Sequence, residues 1–301
     1  MQLNNLKQAP FNTTLMGVLK GVLEYYGYDY TDSFIFGASG HAFLMNIHKE
    51  LCPSSPYCWN EDGYFDLMKL MGIETNDLGF YDRKASIDAK DKLFSILKVN
   101  LDKGIPCSLL NMENQIVYGY EGDKLLTSQP WECSPNFPPK TLTFNDWEEL
   151  NGEVHLNFYT YKKVKPVSKK KMIKRSILYA IDLYENPTKY SFDGYGIGPN
   201  AYTNYINAVE KHGNTHGNWW NATVWGENRL KAGEYLKECS EILGDENSVE
   251  LATISAFYTE IGNILVKASE KEMPASEKKE LLRHASMLEG DVITRLKDMK
   301  L

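Results

Sequence analysis

Leu15, Leu19, Val22 and Tyr26 recur at three- and four-residue intervals, with Met16 and Leu23 widening the stripe, and predict an amphipathic helix within residues 8–27. Asn12, Thr13 and Thr14 stand where its first turn begins, as side chains suited to capping free N–H groups. The apolar run SFIF then leads into GASGHAF, a glycine-bearing loop able to bring backbone amides close to another group. CPSSPYCW reads as a proline-rich loop, and FDLMKLMG, after Asp62, as a short helix. Residues 88–103 predict a firmer helix, capped by Asp88, faced by Leu93, Ile96 and Leu97, and stopped at Gly104.

The texture then changes. IPCSLLNM, QIVYGY, KLLTSQ and VHLNFYTYKKV are short runs of apolar, β-branched and aromatic residues, separated by EGD and the proline cluster NFPPK. They read as an antiparallel meander, and helices followed by strands indicate an α+β domain over residues 1–163. Residues 164–301 read as a helical bundle domain, all α. Three helical stripes support this: Trp225, Ala232, Tyr235, Leu236, Cys239 and Leu243; Leu251, Ile254, Tyr258, Ile261, Leu265 and Ala268; and Leu281, Ala285, Leu288, Val292 and Leu296. Asn247 with Glu250 resembles a capping box, and FDGYGIGPNAY is a glycine-rich loop without a phosphate-binding spacing. The basic run from Lys162 to Arg175 reads as a solvated linker and helix start, against the alternative of a phosphate-binding patch.

A hydrophobic fraction of 43% is ordinary for a globular chain, and an aromatic share of 12%, with 19 tyrosines, favours deep packing or a ligand cleft. A net charge of −7 argues against nucleic acid as the main partner. No window is apolar enough for a membrane span and no basic-then-apolar start marks a signal peptide, so a cytoplasmic protein is expected. The five cysteines, Cys52, Cys58, Cys107, Cys133 and Cys239, are irregularly spaced and read as reduced thiols.

The first helix ends in Tyr25, Tyr26 and Gly27, and MENQIVYGYEGDKLL carries a strand running into Gly119 and Tyr120. With Gln8 ahead of the helix, Pro130 after Gln129, and the FGASGHAF segment, residues 8–160 resemble papain-like cysteine peptidases of the double-glycine leader type. The resemblance is closer still to the N-terminal domain of the butirosin-biosynthesis H family, acyltransferases on that fold. It implies that the nucleophilic cysteine position falls on Thr14, the histidine on Glu113, the third triad member on Gln129 and the oxyanion-hole glutamine on Gln8. All three triad positions therefore differ from the family pattern. A threonine hydroxyl is far harder to ionise than a thiol, and glutamate is a weak base for it, so ordinary peptide hydrolysis is not expected.

Thr14 and Glu113 are expected to face each other across a cleft between helix and sheet, as a polar pair for a ligand amine or hydroxyl or as a helix cap beside a solvated carboxylate. His41, in the glycine loop, is a candidate replacement imidazole or a histidine satisfied by backbone carbonyls. Asn12, Gly40, Cys58 and Tyr118 complete the candidate ligand-binding set. Cys58 is the best remaining thiol for a relocated nucleophile; His48, Cys52 and Cys58 make a poor zinc match without a fourth ligand, and Cys107 reads as core. THGNWWNATVWGENR, with His216 and Arg229, reads as cleft lining or as packing. The expected function is a degenerate papain-like protein that binds a small molecule or peptide in the former cleft, without metal or cofactor. The alternative is an altered enzyme acting on a carrier-bound acyl group or small amide, and self-association stays open in either case.

Overall fold

The computed structural model describes residues 1–131, 137–144, 147, 155–244 and 247–299. Cys133, Asn136 and Val154, which figure in the sequence reading, lie outside them. The protein is of mixed α+β class with antiparallel sheets, and its contacts divide the chain into two units. The first comprises Met1–Tyr30 with Gly72–Pro166, the second Thr31–Met71 with Val167–Leu301. The sequence reading instead cuts the chain once, after residue 163; the structure takes residues 31–71 out of the first unit because their apolar faces are met by the C-terminal helices.

In the first unit, α1 (Thr14–Tyr25) and α4 (Ile87–Asp102) pack on a six-stranded sheet. Its strands are β2 (Ile73–Asp82), β3 (Cys107–Asn111), β4 (Glu113–Glu121), β5 (Lys124–Thr127), β6 (Thr141–Thr143) and β7 (His155–Lys163), in the order β2-β7-β3-β4-β5-β6. The meander holds from β3 to β6, but β7 returns to pair with β3 and leaves β2 at the edge. β2 escapes the period-2 signal because Thr75, Asn76 and Asp77 interrupt it and a bulge separates Asp77 from Phe80. The α4 cap is Ser86, whose hydroxyl accepts from the Ala89 N–H, and not Asp88, which lies inside the first turn.

Two glycines let the N-terminal strap cross α1. A Cβ on Gly17 would stand 2.4 Å from the Ala9 carbonyl oxygen, and one on Gly21 would stand 2.1 Å from that of Lys7. The strap therefore lies directly on the helix and carries Gln8 to its start. Around α4, Phe144 stacks on Phe94 at 4.5 Å, and the Lys90 ammonium sits 4.2 Å above the Trp147 ring, so a buried lysine finds an aromatic face in place of water.

The second unit contains α2 (Asp32–Ala38), α3 (Asp62–Met71), α5 (Lys169–Glu185), α6 (Pro199–His212), α7 (His216–Leu243), α8 (Ser248–Ala268) and α9 (Ala275–Asp298). It is not purely helical: β1 (Asn46–His48) pairs antiparallel with β8 (Tyr195–Ile197), so part of the glycine-rich FDGYGIGPNAY stretch is strand. No helix among the described residues is long and apolar enough to cross a membrane.

Most of the three predicted stripes is core: Trp225, Ala232, Tyr235, Leu236 and Cys239 on α7, Leu251, Ile254, Tyr258, Ile261, Leu265 and Ala268 on α8, and Ala285, Val292 and Leu296 on α9 are buried, whereas Leu243, Leu281 and Leu288 are only half-buried. α7 and α8 approach closely because Gly226, Gly233 and Gly262 present no side chain at their contact. A charged pair lies inside this core. Arg229 is wholly buried and meets Glu289 with two bonds, Nη2 to Oε1 at 2.6 Å and Nε to Oε2 at 3.2 Å. Its Nη1 donates to the carbonyls of Ala42 and Leu44, both at 2.8 Å, and the Tyr202 hydroxyl donates to Glu289. Replacing Glu289 by alanine strands a buried guanidinium, and a loss of about 3–5 kcal/mol in urea unfolding is expected. A Glu289→Ala chain as stable as the parent would show that Arg229 is neutralised by other means.

Candidate functional site

The first turn of α1 and the β3–β4 hairpin bring the predicted pair together. Asn111 and Glu113 face each other across the hairpin with only Met112 between them, and Met112 takes a left-handed conformation (φ 60°) to close so tight a turn. Glu113 thereby opens β4 beside Thr14, the first residue of α1. The Thr14 hydroxyl donates to Glu113 Oε2 at 2.9 Å and accepts the Asn114 N–H at 3.1 Å. Both side chains are buried, Thr14 at 1% and Glu113 at 5% exposure.

Gln8 joins the same edge. Its amide nitrogen donates to the Asn114 carbonyl at 2.7 Å and to that of Thr14 at 3.4 Å, while its oxygen accepts the Ile116 N–H at 2.9 Å and the Ser128 hydroxyl. Ser128 went unnoticed in the sequence because a serine after a strand carries no signal of its own. Gln129 donates to the Pro138 carbonyl at 2.6 Å, and Gln115 and Thr127 both donate to that of Pro139. Gln129, which the resemblance assigns to the third triad member, thus holds a loop backbone. Asn12 is exposed just ahead of the helix, and Tyr118 is half-buried on β4 with its carbonyl bonded to the Leu3 N–H.

Gly40, His41 and Cys58 belong to the second unit. Gly40 has a left-handed backbone (φ 79°), and a Cβ there would stand 2.4 Å from the Tyr179 ring. His41 is enclosed by Trp59, Tyr64 and Trp225, the last stacked at 6.1 Å between centroids. Burial, reinforced by the nearby Arg229, pushes the imidazole down to about 4. Cys58 lies beside Tyr195.

Among the described residues no group of three His, Cys, Asp or Glu side chains is placed to hold a metal, so His48, Cys52 and Cys58 are not a ligand set. His48 instead packs its ring on Tyr195 and accepts the Glu50 N–H. Cys107 is core, its thiol pushed up by burial. The Trp-rich stretch lies inside α7, where Trp220 and Trp225 are buried. The lysines of the basic segment that open α5 are exposed, and Ser168 caps that helix.

Two outcomes follow from this geometry. Thr14→Val removes a hydroxyl that both gives and receives a bond, and should cost about 1–3 kcal/mol in urea unfolding, whereas Thr14→Ser keeps most of it. A Thr14→Val chain of unchanged stability would mean that the pair contributes nothing to folding. For His41 the folded value lies below the unfolded 6.5. The unfolded chain therefore binds this proton first, and stability falls as pH drops from about 6.5 towards 4, by roughly 3 kcal/mol in all. Thermal melts across that range should show a flatter acid limb for His41→Gln than for the parent, and parallel limbs would contradict the assignment. The sequence matches no family model and no curated protein.

Proposed function

We propose that the first unit is a degenerate papain-like domain which binds a small molecule or peptide beside Thr14 and Glu113 and does not hydrolyse it. The observation that carries this reading is the buried hydrogen bond from the Thr14 hydroxyl to the Glu113 carboxylate, at the two positions where a thiol and an imidazole are expected from the resemblance. A hydroxyl nucleophile has to surrender its proton, and a carboxylate is too weak a base to hold that proton against an alkoxide. The Asn114 N–H occupies the Thr14 oxygen as well, so the atom that would attack is engaged on both sides.

Gln8 argues in the same direction. Its amide nitrogen is spent on the carbonyls of Asn114 and Thr14, which takes it away from a developing oxyanion. That weighs against the acyltransferase alternative, which needs such a donor free. What remains suited to the spot is recognition: a carboxylate at a helix start can take a ligand ammonium or hydroxyl, with the threonine orienting it.

The test is calorimetry of the whole chain against short peptides with free amino ends and against primary amines, repeated with Glu113→Gln and Thr14→Val. A ligand of the parent chain should bind about tenfold or more weakly to Glu113→Gln. Equal affinity in all three chains would place binding elsewhere. Fluorogenic peptides and short acyl thioesters should stay intact with the parent chain; turnover abolished by Thr14→Val would overturn the binding reading in favour of acyl transfer.

A further inference from the structure

The helix α5 has two faces of opposite character. Met172, Ile173, Ile177, Ala180 and Leu183 are buried and hold it to the second unit. Lys170, Lys171, Lys174 and Arg175 are exposed. Lys174 stands four positions after Lys170, and Arg175 four after Lys171, so the four cations share the outer face. Leu178 follows on that face, one turn beyond Lys174, and is 45% exposed. In a chain of net charge −7 this is a local island of positive charge.

The acids of α5 do not neutralise that island, because each is held elsewhere. Asp182 accepts from Asn186 and Lys189, both at 2.7 Å, and from the Tyr190 hydroxyl; Glu185 pairs with Lys297. Lys169, just ahead of the exposed face, lies 3.8 Å from Glu238 and over the Phe34 ring. Lys170, Lys171 and Arg175 make no ion pair among the described residues. Their placement weakens the helix: like charges four positions apart repel, and cations in the first turn oppose the peptide dipoles.

We propose that this face docks a short acidic segment of a partner protein, with carboxylates on Lys170, Lys171 and Arg175 and one apolar side chain on Leu178. Charge complementarity sets the sign of the occupant, and the extent of the face sets its kind. From Lys170 to Leu178 the helix advances about 12 Å, the span of roughly four residues of extended chain. Beyond that point the same face turns acidic at Asp182 and Glu185. A bilayer or a nucleic-acid duplex laid along α5 would meet those carboxylates, whereas a four-residue segment ends before them. A phosphate backbone also offers Leu178 no apolar partner. Exposed ion pairs are individually weak and screened by salt, so the docking is weak and salt-sensitive.

The experiment is fluorescence anisotropy of the full chain with a peptide of core Glu-Leu-Glu-Glu. Fluorescein blocks its amino end, so that the Thr14–Glu113 spot cannot capture it. The peptide should bind, less tightly as sodium chloride is raised, and a Gln-Leu-Gln-Gln peptide should not. Lys170→Gln, Lys171→Gln and Arg175→Gln together should weaken binding about fivefold or more. This triple variant relieves repulsion in the helix, so urea unfolding should find it at least as stable as the parent, which separates lost docking from lost folding. No binding by the parent, equal binding of both peptides, or equal binding by the triple variant would overturn the proposal. Leu178→Ser should weaken binding by a smaller factor; an unchanged affinity would remove Leu178 from the site. Vesicles of phosphatidylcholine with phosphatidylserine and a short DNA duplex are tested as competitors. Tighter binding of either, lost in the triple variant, would overturn the acidic segment in favour of a lipid surface or a nucleic acid.

Discussion

Deep in the second unit a guanidinium and a carboxylate meet with almost no surface exposed to solvent, and much of that unit is arranged to make the meeting tolerable. Removing Arg229 and Glu289 from solvent costs several kcal/mol for each ion, and their attraction offsets this only when the remaining donors and acceptors are also met. They are: two parallel bonds join the pair, Tyr202 fills the carboxylate, and the carbonyls of Ala42 and Leu44 take the last guanidinium nitrogen. Since Arg229 is on α7, Glu289 on α9 and the two carbonyls follow α2, one charge pair fixes three parts of the unit. Such a pair adds little net stability over an apolar replacement, but it tolerates few alternative arrangements.

The glycine loop gains its shape from the same constraint. Gly40 turns the chain in a left-handed conformation under Tyr179, and the short helical turn after it points the Ala42 and Leu44 carbonyls at Arg229. His41 is then enclosed among Trp59, Tyr64 and Trp225, with a guanidinium nearby that discourages a second positive charge. A segment that reads as a site from its glycines and histidine is, in the structure, held by the core. The first unit follows a different rule. There a hydroxyl and a carboxylate are held at a helix start by backbone groups of Asn114 and by the Gln8 amide, so the polar atoms of the proposed binding spot are pre-positioned by hydrogen bonds within one unit.

Legibility in the sequence varied with the range of the interaction. The spacing of Leu15, Leu19 and Val22 gave α1, and the run of β-branched and aromatic residues in QIVYGY gave β4, because both signals are local. β2 was missed because its polar residues and bulge mask the period, and its existence depends on β7, which pairs with it from far along the chain. Arg229 and Glu289 had a signal that went unread: Ala285, Glu289, Val292 and Leu296 follow one helical stripe, so a charge stands in a core position. Such a residue asks for a buried partner, though its own helix does not say where the partner lies.

The sequence by itself determined most of the helices and strands, the α+β class and the absence of a cysteine from the first helix, since each depends on neighbours within a turn or a strand length. It also set Thr14 and Glu113 as the pair to compare. Only the tertiary structure decided that residues 31–71 leave the first unit and that Glu113 meets Thr14 across 99 positions of chain. Those outcomes rest on contacts between distant segments. Their free energy comes from burying particular faces and pairing particular polar atoms together, and that sum is invisible to any one stretch of residues read alone.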